Sequence, residues 1–297
     1  MDKNDSVILI DKPVGMTSFK VTSSIRRKLK IKRAGHAGTL DPIAHGVLPI
    51  MTGRATRLID LIPDDKKRYV AGFMLGLTSD TLDNEGEILS EQPVLCSADE
   101  IYSAVSEFVG EIEQIPPMYS ALKKDGMKLY ELARKGVEVE RRPRKITIHS
   151  ISIISLSRLD DTFIGELDIT CSKGTYIRTL VDDIGMKLKC GAIMTSLERV
   201  HSNGFDIDDC VSLDEFLNSD DPTKFMRSPD FAVRQFDKVE ITPAQSKRFS
   251  NGGELDIKRI HTLGRSTDGE IYRVYGNGEF LGLGIIKNDS LFPKCVF

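Results

Sequence analysis

The sequence has 297 residues, of which 40% are apolar, and its formal net charge is −3. This length and apolar content are sufficient for a large domain accompanied by a small one. The near-neutral charge argues against a non-specific polyanion binder, no apolar run approaches the ~20 residues of a membrane span, and residues 1–7 lack the basic and apolar regions of a signal peptide. We therefore expect a folded protein of the cytoplasm.

Cysteines and basic residues are distributed differently along the chain. The five cysteines are scattered, without a CxxC pair or a Cys and His cluster at metal-ligand spacing, so we expect reduced thiols and no metal site. Basic residues cluster instead, with six in the eight residues of 26–33 and many more in 122–145. On its own, such a cluster is most often a solvated helix face or loop.

The first predicted elements are a buried strand and an amphipathic helix. Val7–Ile10 form a continuous apolar run that ends at a Pro and Gly turn, which is typical of a short buried strand. Lys12 follows at the strand end, where side chains reach a cleft. Thr17 or Ser18 is predicted to cap a helix with apolar residues at four-residue spacing. The basic residues of 26–33 occupy its other faces and give it a basic outer surface.

Later elements are predicted from alternation and from turn residues. Apolar residues alternate over 69–75 and over 163–171, which predicts two strands with one buried face each. A helix is predicted to begin near Thr175, which places Arg178 in its first turn. Beyond about Val233, short strands and Gly turns predict a small β-rich domain. The overall class is α+β.

The most informative stretch is 33–58, RAGHAGTLDPIAHGVLPIMTGRATRL, where glycines and two prolines surround His36, Asp41 and His45. Such density predicts a backbone held in tight turns. Because Asp41 precedes a proline, its backbone is restricted toward extended geometry. On composition alone, turn capping is the commoner role for such an aspartate. The stretch lacks the GxxxxGK[ST] pattern, which argues against a nucleotide-binding P-loop.

This stretch closely resembles the catalytic motif of the TruB family, the bacterial tRNA pseudouridine-55 synthases. Further motifs follow in the family's order: DKPVGMTS at 11–18, GRATRL at 53–58, DKKRY at 65–69, LGLTSDTLDNEG at 75–86, IPPMYSALKKDGMKLYELARKG at 115–136 and CSKGTYIRTLVDDIG at 171–185. The resemblance implies the pseudouridine synthase fold, with a mixed, largely antiparallel sheet in a catalytic domain at 1–233. It also implies a PUA-like RNA-binding domain at 234–297.

The resemblance implies that Asp41 is the essential carboxylate for isomerising uridine to pseudouridine at position 55 of the tRNA T-loop. A fixed carboxylate either traps positive charge at C1′ or removes the C2′ proton to give a glycal, and the sequence does not choose between these routes. Arg178 is expected to pair with Asp41 and orient it through a charge-assisted bond. Tyr69 is expected to stack on the displaced uracil and to assist proton transfer.

Further residues are implied to bind the substrate. His36 is expected near the flipped-out nucleotide, Leu197 in the wall of the uracil pocket, and Tyr176 in the same motif as Arg178. Arg57 stands where the family often carries Lys and is expected to contact a phosphate. Lys12 and Asp80 are weaker cleft candidates, for which solvation and turn capping are the alternatives.

The segment 116–144 is basic, bears aromatic residues and is punctuated by glycines, which favours a mobile insertion that folds over a ligand. It resembles the thumb that closes on the T-loop in this family. The resemblance implies that Lys123, Lys124 and Lys128 contact RNA phosphates.

The implied partner is the T arm of tRNA, bound by a monomer that needs no metal, nucleotide cofactor or guide RNA. Two alternatives stay open. One is a guide-dependent pseudouridine synthase of a small-RNA particle, against which the thumb-like insertion and the absence of a long basic tail argue. The other is a tRNA-binding folding helper, which the joint presence of Asp41, Tyr69 and Arg178 makes the weaker hypothesis.

Overall fold

The computed structural model describes residues 5–63, 66–120, 122–124 and 126–297. Short 3-10 helices lie at Gly53–Leu61, Ile207–Asp209, Pro222–Phe225, Pro229–Val233 and Ile257–Arg259. The α-helices are α1 (Ser18–Leu29), α2 (Ala98–Ser106), α3 (Leu129–Ala133), α4 (Ile177–Lys187), α5 (Leu213–Asn218) and α6 (Pro243–Ser250). The strands are β1 (Val7–Lys12), β2 (Ala34–His36), β3 (Ala44–Thr52), β4 (Lys67–Leu75), β5 (Leu77–Ser79), β6 (Ile88–Glu91), β7 (Gly110–Gln114), β8 (Lys123–Lys124), β9 (Met127–Lys128), β10 (Arg144–Leu159), β11 (Thr162–Cys171), β12 (Ala192–Ser202), β13 (Phe205–Asp206), β14 (Val211–Ser212), β15 (Asp237–Ile241), β16 (Leu255–Asp256), β17 (Ile271–Gly276), β18 (Glu279–Lys287) and β19 (Ser290–Val296).

A mixed sheet of 10 strands forms the larger part of the fold, in the order β14-β1-β3-β12-β4-β11-β10-β7, with β2 and β13 pairing at β3 and β12. Within this sheet, over the residues that the structure describes, the β1–β14 and β3–β12 pairs are parallel and the other pairs are antiparallel. The expected mixed, largely antiparallel sheet is therefore confirmed. Strand β12 lies between β3 and β4, so it touches both the strand after the Asp41 loop and the strand that carries Tyr69.

The two cap candidates of α1 have different roles. The Thr17 hydroxyl accepts a hydrogen bond from the Lys20 amide at 3.1 Å, so Thr17 is the N-cap. The Ser18 hydroxyl instead accepts from the Leu40 amide at 2.9 Å and donates to the Leu40 carbonyl at 3.1 Å. The start of α1 is thus tied to the loop that carries Asp41.

The strands predicted at 69–75 and 163–171 are present as β4 and β11. Helix α4 begins at Ile177, two residues later than predicted, because the Thr175 hydroxyl donates to the Ser172 carbonyl at 2.9 Å and closes a turn first. Arg178 nevertheless lies in the first turn of α4, as expected.

Apolar side chains form several buried clusters. The largest packs helices α2 and α4 against β4, β11 and β12. The five-stranded sheet β15-β17-β18-β19-β16 has a core of its own with α6, which includes Val239, Phe249 and Leu291. Another cluster joins β1 and β3 to this small sheet through residues such as Val7, Met51 and Leu283. The predicted β-rich C-terminal part is therefore present, packed on the large sheet.

The cysteines carry free thiols, three of them buried. Over the described ranges, no helix has the length and apolarity that a membrane crossing requires. Among the same residues, no group of three or more His, Cys, Asp or Glu side chains is arranged to hold a metal ion.

Candidate active site

Asp41 lies on the loop between β2 and β3, with its side chain 39% exposed. The loop backbone is fixed on both sides of this residue. Ser18 bonds Leu40, the Asp41 carbonyl accepts from the Ala44 amide at 3.1 Å, and the Pro42 carbonyl accepts from the Gly15 amide at 2.8 Å. The carboxylate is therefore presented to solvent from a constrained backbone.

Arg178 is buried and forms the predicted ion pair with Asp41, with Nη2 at 2.8 Å from Oδ2. Its two terminal nitrogens also donate to the carbonyls of Thr81 and Tyr119, each at 2.9 Å. Because both carbonyls belong to segments outside the Asp41 loop, they hold the guanidinium independently of Asp41. The arginine thus holds the carboxylate in one position.

Asp83 is a member of this site that the sequence analysis missed. It is 3% exposed, and its Oδ2 lies 3.5 Å from Arg178 Nη1. One cation therefore lies between two carboxylates, one buried and one at the surface. In the sequence, Asp83 is one of several polar residues in TSDTLDNEG, and nothing there distinguishes it from Asp80.

Asp80 has the turn-capping role that was its alternative. It is exposed, accepts from the Glu87 amide at 2.8 Å and accepts from the Tyr119 hydroxyl at 3.2 Å. It does not line the cavity beside Asp41.

A cavity of about 170 Å³ opens beside Asp41. This volume is below the ~300–1,000 Å³ of pockets for drug-sized ligands and suits one planar ring. Predicted residues from four separate segments meet there. The lining comprises Thr39, Leu40, Asp41, Lys67, Tyr69, Ser120, Gly174, Thr175, Tyr176, Ile177, Arg178 and Leu197.

The tyrosines of this cavity are held differently. Tyr69 lies in β4, and burial raises the pKa of its phenol, an effect that the neighbouring Arg199 cation opposes. Tyr176 is the N-cap residue of α4, and its backbone amide and carbonyl bond the Gln114 side chain at 2.8 and 3.0 Å. Burial raises its pKa as well. Both phenols therefore stay protonated at neutral pH, with their rings at the cavity wall.

His36 lies next to the site but does not line the Asp41 cavity. Its Nδ1 is 3.1 Å from the Thr22 hydroxyl, and its Nε2 is 3.3 Å from the hydroxyl of Thr39, which does line that cavity. Burial and then the Arg199 cation lower the pKa of the imidazole below 6.5, so the ring is neutral at pH 7. His36 faces a neighbouring cavity that Phe19 also lines.

Lys12 is fully buried, so solvation, the alternative considered for it, is wrong. Its Nζ donates to the carbonyls of Pro13 and Met16 at 2.8 and 2.6 Å. Burial lowers its pKa to about 8, although the carboxylates of Asp41 and Asp11 act in the opposite direction. The ammonium closes the turn that follows β1 and lies within the field of Asp41.

This burial predicts a pH-dependent stability. Between about pH 8 and 10.5 the unfolded chain keeps the Lys12 proton and the native chain loses it, so the contribution of this group to the free energy of unfolding rises with pH. The rise from this group is at most ~3 kcal/mol. In chemical denaturation at a series of pH values, the wild type and a control at an exposed lysine, Lys20→Met, should gain stability relative to Lys12→Met over this range. Parallel curves for all three proteins would contradict this account.

Arg57 lies in the 3-10 helix after β3, and its Nη1 donates to the Val296 carbonyl of β19 at 2.9 Å. It therefore contacts the small sheet and does not line the Asp41 cavity. Its phosphate contact stays a prediction.

The thumb-like segment 116–144 contains the β8–β9 hairpin and α3. Lys124 Nζ donates to the Glu140 carbonyl at 2.9 Å, and Lys128 Nζ lies 5.3 Å from the centre of the Tyr130 ring. The side chain of Lys123 lies outside the described part of the structure. The segment meets the site at its base, where Tyr119 bonds Arg178 and Ser120 lines the cavity.

Arg199 is the second residue that the sequence analysis missed. It lies in β12, two residues after Leu197, and its side chain is completely buried. The sequence signal that could have identified Arg199 was its position relative to Leu197. Residues two apart in a strand face the same side, so Arg199 faces the same side as Leu197. An arginine on the inward face of a strand indicates a specific buried partner.

The mixed sheet, with a fixed carboxylate beside a base-sized cavity, is that of the pseudouridine synthase fold. The chain belongs to the TruB family. The model for "TruB family pseudouridylate synthase (N terminal domain)" matches residues 26–177. The models for "tRNA pseudouridylate synthase B C-terminal domain" and "Pseudouridine synthase II TruB, C-terminal" match residues 178–226 and 238–297.

Curated relatives agree with this assignment over nearly the whole chain. The chain is 44% identical to tRNA pseudouridine synthase B of Clostridium kluyveri, over 96% of each protein. It is 42% identical to the protein of the same name from Alkaliphilus oremlandii, over 98% of this chain and 96% of that one. Among solved structures, a chain of a Cbf5-Nop10-Gar1 complex aligns with a TM-score of 0.74 and 26% identity, over 99% of this chain and 85% of that one.

Proposed function

We propose that this protein isomerises uridine to pseudouridine at position 55 in the T-loop of tRNA. The observation that carries the proposal is the Asp41 carboxylate, fixed by its loop and paired at 2.8 Å with buried Arg178, at the mouth of a cavity for one ring. The curated relatives, named tRNA pseudouridine synthase B, support tRNA as the substrate.

Asp41 acts on the sugar of the bound nucleotide. The N1–C1′ bond breaks, the uracil turns, and a C5–C1′ bond forms; C5 loses its proton and N1 gains one, so the reaction is an isomerisation without redox change. Asp41 either bonds C1′ or takes the C2′ proton in the intermediate stage. Arg178 keeps the carboxylate aimed in both routes, because its other bonds hold it in place.

The cavity walls hold the base while it turns. The target base must leave the RNA stack, which costs a few kcal/mol. Tyr69 and Leu197 both line the cavity, and their rigid apolar surfaces offset this cost by contact with the uracil. Tyr176 adds a third wall beside Arg178. His36, neutral and bonded to Thr39, is proposed to contact the RNA next to the extruded nucleotide.

The domain division proposed here is 1–233 for catalysis and 234–297 for a PUA-like RNA-binding unit, with 116–144 as the thumb. The separate apolar core of the small sheet supports this division.

We further propose that the enzyme acts in the cytoplasm as a single chain without a guide RNA. Primer-extension mapping of pseudouridine in an unmodified tRNA transcript tests whether the protein modifies position 55 without a guide RNA. Modification of position 55 by the purified protein alone supports the proposal, and a requirement for added RNA favours the guide-dependent alternative.

Removing charge from the thumb should weaken tRNA binding and reduce its salt dependence. Lys123, Lys124 and Lys128 are proposed phosphate contacts, and each contact contributes roughly 0.7–0.9 to the slope of log affinity against log salt. The triple alanine variant is therefore expected to lose about 2–3 units of slope in filter-binding titrations. A control at exposed lysines outside the thumb, Lys187→Ala with Lys224→Ala, should keep the wild-type slope. An unchanged slope in the triple variant would remove the thumb lysines from the interface.

A further inference from the structure

Arg199 is a buried cation that the proposed reaction does not yet use. Its side chain is completely buried, and among the described residues no carboxylate lies within 4.0 Å of it. A buried charge without an opposite charge is costly unless other groups satisfy its donors. The groups that do so here lie on the Asp41 loop and on β3, which follows it.

The guanidinium bonds the backbone on both sides of Asp41. Its Nη2 donates to the Gly38 carbonyl at 2.8 Å, three residues before Asp41. Its Nε and Nη2 donate to the Val47 carbonyl at 2.9 and 2.7 Å, six residues after Asp41. One side chain thus ties together the two ends of the catalytic loop.

The strand register brings Arg199 between the loop and Tyr69. Arg199 is paired with Gly46 of β3 on one side and with Tyr69 of β4 on the other. At Gly46, φ is +104°, and a Cβ there would lie 2.4 Å from the Arg199 carbonyl oxygen. The approach of β12 to β3 at this point therefore requires glycine.

The remaining terminal nitrogen, Nη1, lies 3.5 Å from the Thr39 carbonyl, two residues before Asp41. Thr39 lines the cavity beside Asp41, and so does Tyr69, the cross-strand neighbour of Arg199. The carbonyls that satisfy the guanidinium therefore lie on the Asp41 loop and on the first half of β3, which follows it.

We infer that Arg199 is a positioning residue that ties the two ends of the Asp41 loop together and so holds Asp41 in place beside the cavity. This inference rests on the proposed isomerisation. Arg199 acts through the carbonyls of Gly38, Thr39 and Val47 and does not touch the substrate itself. Its charge is kept in the protein interior because a planar fork with several donors joins the Asp41 loop to β3 at this point.

The test compares Arg199→Lys, which keeps the cation but loses the fork, with Arg199→Met. Single-turnover isomerisation is measured at saturating tRNA, with affinity from filter binding and stability from thermal unfolding. We expect the rate to fall about tenfold in Arg199→Lys and about 10²-fold in Arg199→Met, because small displacements of reacting groups have effects of this size. The affinity should change less than about threefold, since phosphate contacts dominate binding.

A matched control separates positioning from general destabilisation. Arg234 also donates to a backbone carbonyl, that of Gly204, but lies outside the Asp41 cavity. Arg234→Lys is expected to lower stability without lowering the rate at saturation. If Arg199→Met does not fold, Arg199→Lys alone decides, and a wild-type rate in that folded variant overturns the inference.

The same measurement in a Tyr69→Phe background tests the route of action. If Arg199 acts through the loop carbonyls, Arg199→Lys should lower the rate by the same factor with and without the phenol. A loss at least about threefold smaller in the Tyr69→Phe background would show that the phenol transmits the effect and would overturn the inference. Failure of the wild type to isomerise tRNA would instead overturn the proposed function, and the two failures are therefore distinguishable.

Discussion

Asp41→Asn is expected to abolish isomerisation while leaving tRNA affinity within about threefold of the wild type, because one side chain contributes little among many phosphate contacts. The amide keeps the shape of the carboxylate but neither bonds C1′ nor accepts a proton from C2′. We expect the single-turnover rate to fall by at least ~10³-fold, the order of effect seen when an essential side chain is removed. Rapid-quench assays and filter binding measure the two quantities separately.

The control for this variant is Asp80→Asn. Asp80 is exposed and caps a turn, and it does not line the Asp41 cavity. Asp80→Asn makes the same change of charge as Asp41→Asn. Because Asp80 lies outside the cavity, this variant should keep nearly the wild-type rate. A large loss of affinity in Asp41→Asn would show instead that Asp41 is a binding or folding residue.

Arg178→Lys is expected to give the second-largest effect, a rate loss of about 10²-fold at saturating tRNA. A lysine keeps the charge, but its single ammonium cannot replace the bonds from two guanidinium nitrogens to Asp41, Thr81 and Tyr119. Arg178→Met should in addition lower the free energy of unfolding by roughly 3–5 kcal/mol, because it leaves the buried Asp83 carboxylate without its cation. Urea denaturation measures this loss.

Arg68→Lys is the matched control for Arg178→Lys. Arg68 also forms a two-pronged bond with a carboxylate, at 2.8 and 2.6 Å to Asp168, but its side chain is 53% exposed. Exposed ion pairs contribute about 0–1 kcal/mol, so this variant should be close to the wild type in stability and rate. If Arg178→Lys behaved like Arg68→Lys, the geometry of the Arg178 fork would have no role in catalysis.

Local patterns predicted much of the fold. Apolar alternation identified β4 and β11, and the turn residues after Val233 identified the β-rich C-terminal part. The start of α4 was predicted two residues early, because the Thr175 hydroxyl closes a turn that propensity does not reveal. The pairing of β12 with both β3 and β4 joins segments far apart in the chain, so no local pattern contained it.

Residues of the candidate site differed in how far the sequence identified them. Asp41 and Arg178 stood in long motifs, and the structure brings them to 2.8 Å. Asp83 and Arg199 were missed because their importance comes from burial, which depends on tertiary packing of other segments. Solvation was the alternative considered for Lys12, because a lysine at a strand end is usually exposed. Its burial also depends on the packing of other segments.

The measurement that tests the central claim most directly is release of tritium from tRNA transcript carrying uridine tritiated at C5. Pseudouridine formation frees the hydrogen on C5 without changing the mass of the RNA. We predict release of about one equivalent by the wild type and none by Asp41→Asn, and none from a transcript with cytidine at position 55. No release by the wild type while tRNA is bound, or equal release by Asp41→Asn, would contradict the claim that Asp41 catalyses this isomerisation.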